Sequence, residues 1–286
     1  MNNPLLLDGA MGTELFRRGL NLPLPLWSAE INITYPEYVK DVHDKYIAAG
    51  SNVITANTFR ATPWAYSKAG YSPLRAKERA RSSLIKAVEL AKKSANDSAM
   101  VAGSLTSTED CYLPKKFPGK TIAQDNYGIT LEWLIDSDID ILLFETMGNL
   151  DEIKVAMEMS DTCNLNRWLS LILKDRNHLL DGTRLENVFD ILSGYEIAVL
   201  LCNCNKFETT LDALQIYKRE WLGSWGVYPN LGITDFGNNY FQILDEHKFK
   251  AGMEKILHLN PDVIGLCCGS TPKHIQLLKS YFIGNL

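Results

Sequence analysis

Four of the six cysteines in this 286-residue chain stand in two tight groups, Cys202 with Cys204 and Cys267 with Cys268. Each group comes at the end of a short apolar run, Ile197–Leu201 in the first case and Val263–Leu266 in the second. Thiolates are soft ligands, and three of them drawn from two strand ends could form three corners of a zinc tetrahedron. The fourth corner would stay open, which marks a catalytic rather than a structural site. The spacing is not that of a CxxC…CxxC ribbon, and two other readings stand beside it. Free cysteines commonly serve as small core hydrophobes, and Cys267-Cys268 could form a vicinal redox disulfide, a pairing disfavoured in a reducing compartment. Cys111 and Cys163 have no cysteine neighbours and read as packing residues.

The elements that must position these groups follow from periodicity. Short apolar runs alternate with longer amphipathic segments, the pattern of repeated βα units around a mostly parallel sheet. The runs are Leu5–Leu7, Asn52–Ala56, Met100–Ala102, Ile139–Phe144, Trp168–Leu173, Ile197–Leu201, Trp225–Tyr228 and Val263–Leu266. Helices are expected at Pro36–Ala49, Pro73–Lys93, Ile122–Asp136, Leu150–Asp161, Leu185–Leu192, Phe207–Lys218, Gly252–Leu257 and Pro272–Tyr281. Ser72-Pro73 and Thr271-Pro272 each offer a cap followed by proline in a first turn. Eight strands each followed by a helix is the count of a (β/α)8 TIM barrel, and a doubly wound open sheet shares the periodicity. Either architecture binds ligands at the carboxyl ends of its strands. Asp8-Gly9, Asn57-Thr58, Glu145-Thr146, Cys202-Asn203-Cys204, Pro229-Asn230 and Cys267-Cys268-Gly269 therefore share one rim.

Several functions are excluded or lack support. Lysine and arginine total 29 against 34 aspartates and glutamates, a formal charge of −5, so no basic excess is available for nucleic acid. The N-terminal residues lack the charged lead of a secretory signal, and no apolar stretch approaches the ~20 residues of a membrane span. Cytoplasmic thiols and small-molecule partners are the expectation. The five histidines form no metal-binding pair, and the Asp8–Gly12 segment has neither a GxGxxG fingerprint nor a Walker lysine. Trp27, Phe59, Trp64 and Tyr66 gather near the first two loops, where core packing is the default and a cation-binding face the alternative.

Taken together, these landmarks resemble the homocysteine S-methyltransferase family over nearly the whole chain. Leu7-Asp8-Gly9-Ala10-Met11-Gly12-Thr13-Glu14-Leu15 is similar to the family's opening strand and loop. Leu26-Trp27-Ser28-Ala29 resembles its next landmark, especially in members that use S-methylmethionine. Ile54–Phe59, Phe144-Glu145-Thr146 and Val227–Asn230 resemble the second, fourth and seventh strand ends, and Cys267–Pro272 the GGCCGTTP zinc signature. The resemblance implies one barrel domain over 1–286, with Zn2+ held by Cys204, Cys267 and Cys268 and with Cys202 left as a strand residue. It also implies that Asp8 and Glu145 bind the amino group of homocysteine while amides after Asp8, beginning at Gly9, receive its carboxylate. Asn57 and Asn203 are expected at the substrate, and Trp27 or Phe59 beside a sulfonium. The implied activity is transfer of a methyl group from S-methylmethionine or S-adenosylmethionine to the homocysteine thiolate, forming methionine. The same chemistry with betaine or another thiol, and a non-catalytic zinc- or thiol-binding barrel, are the alternatives. The chain lacks the long C-terminal arm of the betaine-using relatives and the extra modules of the folate-dependent ones, which favours a sulfonium donor. It departs from the family pattern at Leu266, where a glycine is usual, at Ser270, and through the Gly103–Pro118 loop, which is expected to bear on donor specificity.

Overall fold

The computed structural model describes residues 3–235 and 240–283, so the remaining positions of the expected 1–286 span lie outside the described residues. Eight parallel strands form one sheet: β1 (Leu5–Leu6), β2 (Val53–Ala56), β3 (Met100–Leu105), β4 (Ile141–Met147), β5 (Asn166–Leu171), β6 (Val199–Asn203), β7 (Trp225–Tyr228) and β8 (Val263–Ile264). Their order is β1-β8-β7-β6-β5-β4-β3-β2, each strand beside its sequence neighbour. A parallel bridge between Leu7 and Val53 joins the two ends. The Asn52 N–H donates to Leu6 O at 2.7 Å and the Asp8 N–H to Val53 O at 3.0 Å. The ring is closed, and the architecture is a (β/α)8 barrel rather than an open sheet.

The expected helices are present as α3 (Pro36–Ala49), α5 (Pro73–Ala95), α6 (Lys120–Asp136), α7 (Leu150–Ser160), α8 (Leu185–Leu192), α9 (Phe207–Glu220), α10 (Glu246–Leu257) and α11 (Pro272–Ile283). Short helices α1 (Met11–Arg17), α2 (Ile31–Thr34) and α4 (Pro63–Lys68) are additional; their length leaves too little periodicity to detect. The Asp8–Gly12 segment runs into a helix from Met11. Helix α10 starts before Gly252, at an Asp245 cap whose carboxylate accepts the Lys248 N–H at 2.9 Å. Ser72 makes no side-chain cap bond, so at α5 only the proline of the expected pair contributes. Strands β3, β4 and β6 run further than their apolar runs, placing Glu145, Thr146, Cys202 and Asn203 within strands rather than after them. Ladder pairing continues wherever a neighbour strand supplies partners, whatever the polarity of the side chain.

Strand alternation sorts the side chains. One face contributes a residue or two from every strand to a single interior cluster, including Leu7, Val53, Ala102, Leu143, Trp168 and Leu201. The opposite face, with Ile54, Val101, Leu142, Leu169 and Leu200, packs against the surrounding helices. The interior is therefore a packed plug rather than a pore. Backbone approach is closest at Gly226 of β7, where an added Cβ would lie 2.3 Å from Val263 O and 2.8 Å from the Leu201 side chain. The Val263 carbonyl belongs to the ladder and cannot retreat without disturbing the ring. Gly226→Ala should cost about 1–3 kcal/mol by overpacking and lower the melting temperature by several degrees, measured by calorimetry.

Candidate active site

Two residues beyond the apolar plug, the same inward face turns polar: Thr55 follows Val53, Ser104 follows Ala102, Glu145 follows Leu143, Ser170 follows Trp168 and Asn203 follows Leu201. This layer lies at the carboxyl ends of the strands, under a cavity of about 420 Å³. Asp8, Gly9, Asn57, Glu145, Cys204, Cys267 and Cys268 line it, as do the two aromatic candidates, Trp27 and Phe59. Asn203 is not part of the lining. It is fully buried, its Oδ1 accepting the Thr146 N–H at 3.0 Å and the Ser170 hydroxyl at 2.7 Å, its Nδ2 donating to Thr146 Oγ1 at 2.9 Å. Its hydrogen bonds tie the ends of β4, β5 and β6 together.

The three proposed cysteine ligands converge. Their sulfurs lie within 4.8 Å of one another, with Cys204 Sγ 3.4 Å from Cys267 Sγ and 3.9 Å from Cys268 Sγ. Sulfurs ~2.3 Å from a tetrahedral ion stand roughly 3.8 Å apart, so the cluster fits a metal ion with little rearrangement. Cys204 has a left-handed backbone, φ 57°, which turns the chain out of β6 at the point where the thiol must face inward. Asn230 joins the two cysteine segments: its Nδ2 donates to Cys204 O at 2.9 Å and its Oδ1 accepts the Cys268 N–H at 3.1 Å. The Cys267, Cys268 and Tyr112 groups directed at the Cys204 sulfur hold that thiol well below its usual range, while the Cys204 thiolate pushes Cys267 and Cys268 up. Cys202 lies in β6, buried, its thiol pushed up to about 12 by burial. Cys111 lines the cavity and is likewise pushed up to about 12 by burial.

Two carboxylates face the same space, Asp8 buried and Glu145 partly so. Asp8 accepts the Thr55 N–H at 2.8 Å and its hydroxyl at 3.0 Å. Burial nevertheless pushes its carboxyl up to about 8. Glu145 accepts from the Ser104 hydroxyl and, at 3.2 Å, from the Tyr228 phenol, and burial pushes it up to about 7. Glu145 sits at a register shift between Phe144 and Met147, the kind of bulge that re-aims a side chain beside a site. A cation placed between these carboxylates would stabilise their ionised forms.

The loops are tailored to one another. Asn57 Oδ1 accepts the Ser28 hydroxyl at 2.6 Å, and its Nδ2 donates to Ser28 O at 2.9 Å and Asn32 Oδ1 at 2.8 Å. Its side-chain groups therefore fix the Trp27-Ser28 turn. A Cβ at Gly12 would come within 2.2 Å of the Trp27 indole, and one at Gly9 would meet Ser270 Oγ at 2.6 Å and Tyr46 at 2.7 Å; both glycines make room for close packing. The Ala10 amide donates to Ser270 Oγ at 2.9 Å, so that amide, among those expected to receive a carboxylate, is already engaged. Helix α1 braces the cysteine-bearing turn, Arg17 donating to Gly269 O at 2.8 Å and Thr13 Oγ1 accepting the Gly269 N–H at 3.2 Å. Leu266 is buried, outside the positive-φ residues, with its N–H 3.3 Å from Asp8 O; the larger side chain joins the core.

Tyr112, Tyr228, Ser104 and Arg60 were not among the sequence candidates, yet all adjoin this site. Tyr112 lines the cavity with its phenol oxygen 2.9 Å from Cys204 Sγ. It comes from the Gly103–Pro118 loop, which has no local motif to mark it. Strand alternation from the apolar plug would have pointed to Ser104.

Residues 5–282 match the profile of the homocysteine S-methyltransferase family. A homocysteine S-methyltransferase of Escherichia coli is 33% identical, the match covering 96% of this chain and 94% of that protein. A selenocysteine methyltransferase of Astragalus bisulcatus is 25% identical, over 96% of this chain and 95% of the other. The metallated crystal form of the Escherichia coli homocysteine methyltransferase MmuM superposes with a TM-score of 0.84 at 29% identity, covering 98% of this chain and 96% of that one. With the cysteine cluster, the two carboxylates and the closed barrel all in place, the chain belongs to the homocysteine S-methyltransferase family.

Proposed function

We propose that this chain transfers a methyl group from a sulfonium donor, S-methylmethionine or S-adenosylmethionine, to the sulfur of L-homocysteine, forming methionine in the cytoplasm. The observation that carries the reading is the convergence of three cysteine sulfurs and the Asp8 and Glu145 carboxylates on one cavity. Asp8 and Glu145 take the homocysteine ammonium, which replaces the solvent their carboxylates lack. That anchor directs the homocysteine sulfur toward Cys204, Cys267 and Cys268, and holding the reactants in line is a large part of catalysis. Cys204, Cys267 and Cys268 are the residues that would hold Zn2+, which would supply the Lewis acidity that favours a deprotonated thiol near neutral pH. In the transfer, a bond forms between the homocysteine sulfur and the methyl carbon as the bond from that carbon to the sulfonium breaks. The electron pair stays on the donor sulfur, which leaves as a neutral thioether. No acid is needed at the leaving group, consistent with a site without a histidine. Trp27 and Phe59 line the cavity and offer the aromatic faces on which a sulfonium rests. Asn57 and Asn203 act by holding the loops and strand ends, and Gly9 by letting the chain pass close to Tyr46.

Methionine formation from homocysteine with each sulfonium donor, with and without a chelator, is the direct test. Cys204→Ser should reduce bound metal to far below one ion per chain and turnover by at least about 100-fold, since even neighbours of metal ligands matter by 10–100-fold. Unchanged turnover in a metal-free Cys267→Ser/Cys268→Ser variant would overturn the reading.

The raised carboxyls give a second check. Below about 7 Glu145 is mainly neutral, and below about 8 so is Asp8, so neither attracts an ammonium strongly. Affinity for L-methionine, which has no titrating thiol, should therefore rise as pH goes from 6 to 8, measured by calorimetry. Glu145→Gln should weaken binding by roughly tenfold at pH 8 and flatten the dependence, as loss of one charge-assisted hydrogen bond would.

A further inference from the structure

Arg60 is a buried cation on the wall of this cavity, only 7% exposed. Its Nη1 donates to the backbone carbonyls of Ser107 at 3.1 Å and Glu109 at 2.7 Å, and its guanidinium carbon lies 5.4 Å from the centre of the Phe59 ring. Those partners are neutral carbonyls, which orient the group without placing a carboxylate in contact with it. Nearby carboxylates bond to other groups, the buried Glu152 accepting the Thr108 N–H at 2.6 Å and the Tyr127 phenol at 3.0 Å. Glu109 Oε1 accepts from Lys68 Nζ and from the Trp64 indole N–H, both at 3.0 Å, and Asp110 Oδ1 accepts the Tyr112 N–H at 2.9 Å. Among the described residues, no ion pair joins Arg60 to an acid. A buried guanidinium with no carboxylate in direct contact gains from an anion that arrives to pair with it.

Depth in the cavity says which anion. Thr55 of β2 stands in the polar layer at the strand ends and holds the Asp8 carboxylate there, whereas Phe59 and Arg60 lie in the loop beyond that strand, Arg60 bonded to the loop that follows β3. Homocysteine, anchored by Asp8 and Glu145 with its sulfur toward Cys204, occupies the strand-end layer. The loop level of the cavity remains for the donor, with Phe59 beside Arg60 as an aromatic face. We propose that Arg60 binds a carboxylate of the methyl donor, so that the donor is a carboxylate-bearing sulfonium, its carboxylate on the guanidinium and its sulfonium methyl toward the homocysteine sulfur. This inference rests on the methyl-transfer reading, from which it takes the donor's chemistry. It makes Arg60 a determinant of donor specificity, because a planar guanidinium matches a carboxylate with two parallel hydrogen bonds.

The test compares S-methylmethionine with its carboxamide, which keeps the size and the sulfonium but loses the carboxylate charge. Dissociation constants are measured by calorimetry on the metal-loaded protein without homocysteine, so that no turnover is needed. The intact protein should bind the carboxylate form at least about tenfold more tightly, as expected for a charge-assisted pair. In Arg60→Met that ratio should fall to about one, and Arg60→Lys should retain part of it. Loss of the loop contacts alone would weaken both ligands equally and keep the ratio, so a ratio unchanged in Arg60→Met overturns the proposal. If Arg60→Met fails to fold, a ratio in Arg60→Lys equal to that of the intact protein overturns it instead, because lysine has no planar fork for paired bonds. A ratio near one in the intact protein also overturns it. If Arg60→Met instead changes discrimination between L-methionine and methioninamide, with the donor ratio kept, Arg60 reads the acceptor's carboxylate and the assignment is wrong. Absence of methionine formation with every sulfonium donor would count against the methyl-transfer reading, and the binding ratio would still be measured separately.

Discussion

One buried amide, Asn203, ties together the parts on which the site depends. Its side chain grips the backbone and hydroxyl of Thr146 and the hydroxyl of Ser170, joining β6 to the bulged end of β4 and to β5. The residue before Thr146 is Glu145 and the residue after Asn203 is Cys204, so this clamp sets a carboxylate and a thiol relative to each other. Thr146 and Cys204 both have left-handed backbone, φ 59° and 57°. Non-glycine residues pay for that conformation with strain, and the hydrogen-bonded frame around Asn203 and Asn230 keeps both in place.

The electrostatics follow from the same burial. A closed barrel lifts the polar layer above an apolar plug, so Asp8 and Glu145 are desolvated by the fold that positions them, and their carboxyls rise accordingly. Threonine, serine and tyrosine hydroxyls compensate only in part. The cysteine cluster shows the complementary effect, since three sulfurs held this close cannot all ionise without a cation between them. Two carboxylates, three clustered thiols and a guanidinium thus line one cavity.

Much of the barrel was legible in the chain because parallel strands buried on both faces leave short apolar runs that stand out from amphipathic helices. Trp225–Tyr228 and Pro36–Ala49 have the same limits in sequence and structure. The ends of β3, β4 and β6 did not, because they pass through polar residues whose strand conformation comes from their neighbours' hydrogen bonds. The α1 helix was hidden by the glycines at 9 and 12, whose purpose is contact with Tyr46 and Trp27, partners distant in sequence. Asn57 and Asn203 stand just past apolar runs in the sequence, but only their hydrogen bonds reveal that they tie loops and strand ends together.

By itself, the sequence determined the number of βα units, the strand ends that carry reactive groups and the grouping of cysteines on the sixth and eighth of them. Those properties are local: they depend on periodicity and on residue type. Closure of the ring, the convergence of Cys204 with Cys267 and Cys268, the desolvation of Asp8 and Glu145, and the presence of Tyr112 and Arg60 in the cavity were decided by tertiary structure alone. Each is a relation between residues tens to hundreds of positions apart, fixed by the register of strands around a closed ring and by loops packed on one another, and neither leaves a period or a motif in the chain.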